Sequence, residues 1–113
     1  MTTVAFTMEE ERVVALNISN HSDYADEGED IVCAAVSNAF NLIVTAFNTV
    51  MGLAATVKVD AENTSVFLRL PGGLSDEIDN TCQILMASLM VNLVELQEQY
   101  PDNINVLEVY KDL

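Results

Sequence analysis

Val4, Phe6 and Met8 alternate with Ala5 and Thr7, and residues 13–18 form a second run rich in β-formers. A period of two with one apolar set predicts half-buried strands, and the acids Glu9 to Glu11 between the runs predict a hairpin turn. Residues 19–29, SNHSDYADEGE, are polar with a single glycine and predict a long loop, of a length at which loops often serve function. Asp30 is placed to cap a helix that runs to about Met51 and stops near Gly52. Residues 56–59 and 65–70 predict a second hairpin, joined by the turn residues 60–64. LPGGLS then punctuates the chain before a helix over about 75–99, in which Ile78, Cys82, Leu85, Leu89, Leu93 and Leu96 recur at steps of three and four. Tyr100-Pro101 ends it, and residues 104–109 supply a last strand.

The order ββαββαβ predicts an α+β fold: five short strands in a mixed or antiparallel sheet, with both long helices packed on one face. At 113 residues the chain fits one domain spanning 1–113. Residues 31–57 carry no charge and are long enough to cross a bilayer. Ser37, Asn38, Asn41, Thr45, Asn48, Thr49 and Gly52 recur there every three or four positions, which makes a polar stripe on an amphipathic helix of a soluble domain. Half of the residues are apolar, enough for a packed core.

Charge changes the picture more than composition does. Four basic residues stand against 18 acids, a formal net charge of −14. Such a surface repels phosphate backbones and favours a basic protein partner, which argues against direct nucleic-acid binding. The N-terminal MTTVAFTMEEE lacks the basic flank and apolar stretch of a secretory signal, so the expectation is a cytoplasmic chain with reduced thiols and no membrane anchor. One histidine and two cysteines are too few for a zinc site of those residues alone, and the acids do not follow the spacing of a calcium loop. No metal or cofactor is expected.

With Asp30 as cap, Cys33 falls at the third helical position. There the positive end of the helix dipole favours the thiolate, by only about 0.3 to 1 kcal/mol. The acids Asp23, Asp26, Glu27, Glu29 and Asp30 oppose a second anion and favour a charged His21. A thiolate beside that imidazolium resolves the conflict, provided the loop folds back over the helix start. The plain alternatives are a packed thiol, a solvated histidine and an acidic face that serves solubility. Cys82, Phe40, Phe47 and Met86 sit at helical spacing and read as core.

The order of residues adds a likeness. His21, then Tyr24-Ala25, then Gly28-x-Asp30-Ile31-Val32-Cys33-Ala34-Ala35-Val36-Ser37 resembles the signature of the ribosomal-processing cysteine protease family, Prp. The resemblance extends to chain length, element order and the Tyr100-Pro101 pair. It implies a cytoplasmic cysteine endopeptidase that removes a short N-terminal extension from a protein of the large ribosomal subunit. It puts the nucleophile at Cys33 and the histidine at His21. Asp30 matches as well, to orient the imidazole or to cap the helix, and Ser37, Gly28 and Asp23 are supporting positions. Asn20 and Ser22 stand where the family has glycine and alanine. That departure keeps a second class open, an inactive relative that binds a basic ribosomal partner without cutting it. The mechanism implied is thioester chemistry, with free N–H groups at the helix start, that of Cys33 included, receiving the oxyanion. A helix stripe of serine, asparagine and threonine, with every charge elsewhere, also predicts a homodimer, in line with the family.

Overall fold

The alternating run at the N-terminus forms β1 (Thr2–Glu9), which turns through Glu10 and Glu11 into β2 (Arg12–Ser19). The computed structural model describes residues 1–20 and 27–111. Val4 and Phe6 point inward and are fully buried. The β1–β2 register slips after Thr7, which faces Ala15, while Met8 faces Val13, so Val14 is an inserted residue of a bulge. The kink explains why residues 13–16 are buried without a break.

β3 (Thr56–Asp60) and β4 (Ser65–Arg69) form the second hairpin, and β5 (Ile104–Tyr110) closes the chain. The strand order is β3-β4-β2-β1-β5. β5 runs parallel to β1 and every other pairing is antiparallel, so the sheet is mixed. The parallel pairing sets Thr2 opposite Ile104, which draws the turn before β5 against the start of β1.

Two helices cover one face. α1 spans Glu27–Val44 and continues as a π-helical turn, Thr45–Val50. Val32, Val36, Phe40, Ile43 and Phe47 form its buried stripe, and Ser37, Asn38, Asn41, Thr45 and Thr49 face outward, as their spacing predicts. Asn48 departs from that stripe: its amide bonds both the N–H (2.6 Å) and the carbonyl (3.1 Å) of Ala55, tying the end of the helix to the approach to β3. α2 spans Asp76–Gln99, with Ser75 as N-cap accepting from the Ile78 N–H at 3.3 Å and three acids in its first turn. Cys82, Met86, Leu89 and Leu93 are its buried residues, whereas Ile78, in the exposed first turn, remains 39% exposed.

One expected boundary is wrong in a way that matters. α1 starts at Glu27, a turn earlier than Asp30. Asp30 is therefore an exposed residue inside the helix and caps nothing, Gly28 and Glu29 are helical rather than loop, and Cys33 lies in the second turn. The dipole effect fades within the first turn, and the N–H of Cys33 belongs to the intrahelical ladder. Neither helix-end argument for Cys33 survives.

Candidate active site

Starting α1 at Glu27 changes which side chains share a face. Residues four apart stack on one side of a helix, so Glu29, Cys33 and Ser37 form a row. The first of the row is turned inward: Glu29 is 6% exposed, and with Thr2 it makes up the buried polar pair of the described residues. A carboxylate in such surroundings needs hydrogen-bond donors.

The start of β1 and the turn before β5 supply them. The Thr2 hydroxyl, on the first residue of β1, donates to Glu29 Oε1 at 3.2 Å. The Asn103 amide, in the turn before β5, donates to Glu29 Oε2 at 3.1 Å. The α-amino group of Met1 lies 3.9 Å from Oε1. Thr2 and Asn103 are themselves joined through the backbone, Thr2 N–H to the Asn103 carbonyl at 2.9 Å. The same Thr2 hydroxyl oxygen lies 3.8 Å from Cys33 Sγ. Helix start, β1 and β5 thus converge on one partly buried thiol.

Gly28 belongs to this junction by shape. A Cβ on it would stand 2.9 Å from Asn103 Oδ1, so the absent side chain lets the Asn103 amide reach Glu29. Asp30 points to solvent one residue on. Ser37, a turn beyond the thiol, is exposed and lines a surface hollow of about 210 Å³ with Phe40, Asn41, Val59 and Val66. Among the described residues no hydrogen bond joins Ser37 to Cys33. His21 and Asp23 lie outside the described residues. Asn20, just before them, has φ +62°, a left-handed conformation that asparagine accepts more readily than most residues.

Thr2 and Asn103 carry no signal in the local sequence, because only the parallel β1–β5 pairing brings them to the helix. Glu29 did carry one, its four-residue step to Cys33, which counts only once the helix is known to include it. Cys82, the second thiol, sits in the core with burial pushing its pKa up, an inert packing residue.

A partly buried free thiol on a helix, close to a hydroxyl that bonds a buried carboxyl group, is of a kind that can serve covalent attack by sulfur. The sequence matches the family model described as cysteine protease Prp over residues 1–105. It is 23% identical over 94 residues to the ribosomal processing cysteine protease Prp of Bacillus subtilis, covering 83% of this chain and 84% of that one. Identity to the Staphylococcus aureus protein of the same name is 26% over 110 residues, covering 94% of this chain and 97% of that one. The crystal structure of an essential ribosomal processing protease Prp from S. aureus in complex with a substrate peptide superposes with a TM-score of 0.80 at 25% identity, covering 98% of this chain and all of that one. A Streptococcus mutans protein, at 19% identity, shares the fold with a TM-score of 0.83, over 98% of this chain and 96% of that one. The fold is that of a family of cysteine proteases. The chain belongs to the Prp family of ribosomal processing cysteine proteases.

Proposed function

We propose that the chain removes a short N-terminal extension from a basic protein of the large ribosomal subunit, in the cytoplasm, with Cys33 as nucleophile and His21 as acid and base. The observation that carries this reading is the family match across residues 1–105, which includes both residues in the order of the motif.

In the reaction the Cys33 thiolate adds to the scissile carbonyl. The tetrahedral intermediate expels the amine, which takes its proton from the His21 imidazolium, and a thioester remains. Neutral His21 then draws a proton from water, the hydroxide adds to the thioester, and the thiolate leaves. With the capping role removed, Asp30 is assigned to orient the imidazole, and Asp23 to keep it charged. The hollow beside Ser37 offers the substrate chain a course along α1 toward β3 and β4. The charge of −14 favours encounter with a basic substrate.

Cys33→Ala should leave the fold intact and abolish cleavage of the extended ribosomal protein, read as product masses. Retained cleavage would remove Cys33 from the mechanism. An inactive binding module predicts instead that wild type and the Cys33 and His21 variants bind ribosomes equally and that none of them cuts.

A homodimer is proposed with it. The groove between α1 and α2 is lined by Ala39, Leu42, Ile43, Ala46, Leu85 and Leu89 together with Ser88 and Asn92, and Leu42 on α1 and Ile84 on α2 are each 67% exposed. Residues 31–57 and 80–94 carry no charge, so two copies can meet through these helices without opposing their acids. Light scattering should give twice the chain mass at micromolar concentration; a monomer there would overturn this.

A further inference from the structure

Val4, Phe6, Leu16, Ile18 and Leu68 are buried beneath the helices, so the strand residues that alternate with them point to the opposite, uncovered face of the sheet. Two register rows cross all five strands there. One reads Leu107, Ala5, Asn17, Phe67, Lys58, and the next Val109, Thr7, Ala15, Arg69, Thr56. Neither row holds an acid, although the chain has 18. The side chains of Lys58 and Arg69 are exposed and make no ion pair or hydrogen bond among the described residues. Two of the chain's four cations thus stand unpaired on one face. Beyond the second row Lys111 and Glu9 offset each other at 3.8 Å. Around Lys58 the face dips into a hollow of about 670 Å³, lined by Asn17, Ser65 and the half-buried Phe67. Asp60 is the acid of that lining, and both of its oxygens accept from Asn63, one from the N–H at 3.1 Å and one from the amide at 2.7 Å.

We propose that this face binds single-stranded RNA, with one base against the Phe67 ring and backbone phosphates on Lys58 and Arg69. An aromatic side chain on an open sheet stacks any base through its π-face, and flanking cations hold the backbone. In the first row Asn17 stands directly beside Phe67, where its amide can both donate to and accept from a base edge, and Ser65 brings a hydroxyl to the same hollow. Lys58 and Arg69 lie in neighbouring rows, about 7 Å apart along the strand direction, a step suited to successive phosphates. Ala5, Thr7 and Ala15 leave a shallow path from there toward Leu107 and Val109. An acidic protein segment would satisfy the two cations but bring no planar group to the ring and the amide. The net charge of −14 repels RNA from the acid-bearing faces, and the same repulsion directs a phosphate strand to the rows without acids. In a family that processes ribosomal proteins, the strand at hand is RNA. Cys33 lies on α1, across the sheet from this face, so RNA and a protein substrate can be held at once.

The full chain is titrated into a fluorescein-labelled oligouridine of about ten nucleotides at about 20 mM salt, and anisotropy should saturate with a Kd on the order of 10⁻⁴ M. Raising salt tenfold should weaken binding about 25-fold for two phosphate contacts. Lys58→Gln, on an exposed edge strand, should bind about fivefold more weakly and lose only about fivefold over the same salt range. Phe67→Leu keeps apolar bulk and removes the ring. It should bind about fivefold more weakly with the salt dependence of wild type. Circular dichroism checks that each variant is folded, and Lys58→Gln carries the test if Phe67→Leu is not. No saturation at about 1 mM protein, ten times the expected Kd, overturns the proposal, as do folded variants within about twofold of wild type. So does tighter binding of the deoxy strand of the same sequence. A glutamate peptide of equal charge that binds as tightly, with the same losses in both variants, would assign the face to an acidic protein instead. A dimer in light scattering that Phe67→Leu dissociates would assign it to a second copy, and either result overturns RNA as the occupant.

Discussion

Gly28 shows how one missing methyl can matter more than helix propensity. At the second residue of α1, alanine gains up to about 1 kcal/mol over glycine on propensity alone. The added Cβ would meet Asn103 Oδ1 at 2.9 Å, and Asn103 cannot retreat without giving up its bond to Glu29. Gly28→Ala should therefore lose about 1 kcal/mol of stability in urea denaturation, because a buried carboxylate loses a donor. A stabilised variant would show that the contact relaxes freely. The residue scale also limits what can be read without coordinates. Cys33, His21 and the Gly28 motif stand out by order, whereas Thr2 and Asn103 are ordinary residues until a parallel strand pair brings them together.

Between elements, side chains at the start of α2 tie it to the start of β2. Val13 lies beyond the residues of β2 that pair with β4, which begin at Ala15, and there Gln83 accepts from the Val13 N–H at 2.8 Å and donates to its carbonyl at 3.0 Å. Gln83→Leu leaves both backbone groups without these bonds and should cost about 2 kcal/mol in urea denaturation. A turn earlier in α2, Arg12 meets Asp79 through two bonds, Nε to Oδ2 at 2.7 Å and Nη2 to Oδ1 at 2.5 Å. The Arg12 side-chain hydrogen bond is the main reason the Asp79 carboxyl titrates below its usual range. A depressed folded value means that the pair adds stability above the unfolded carboxylate range and loses it as pH falls through the depressed value. Asp79→Asn should thus be less stable than wild type by about 1 kcal/mol at pH 7, since Arg12 is well exposed, with the gap closing as pH falls from the ordinary carboxylate range through the depressed folded value. A gap that persists at low pH would mean that shape and not charge holds the contact. At this scale the sequence pattern served well, since alternation marks β1, runs of β-formers and turn residues mark the other strands, and three-to-four spacing marks both helices. It failed at the start of α1, where polar acids that also suit a loop form the first helical turn.

For the whole molecule the dominant quantity is the charge of −14. Raising salt from about 0.1 M to 1 M shortens the screening length from about 10 Å to about 3 Å. Under the proposed function, kcat/KM for a peptide with a basic flank should fall roughly tenfold over that range, and a neutral peptide with the same scissile residues should change little. Equal salt dependence for the two would remove electrostatic steering from the account. The sequence by itself determined the element order, the α+β class, the acidic surface and the thiol in its family motif, because periodicity, charge and residue order are local or additive properties of the chain. Only the tertiary structure decided that Glu29 is buried, that Thr2 and Asn103 hold it, and that Cys33 lies in the second turn of α1 and not at its tip. Those facts depend on β5 lying parallel to β1 and on the helix start packing against both, and such contacts between distant residues leave no mark in a local pattern.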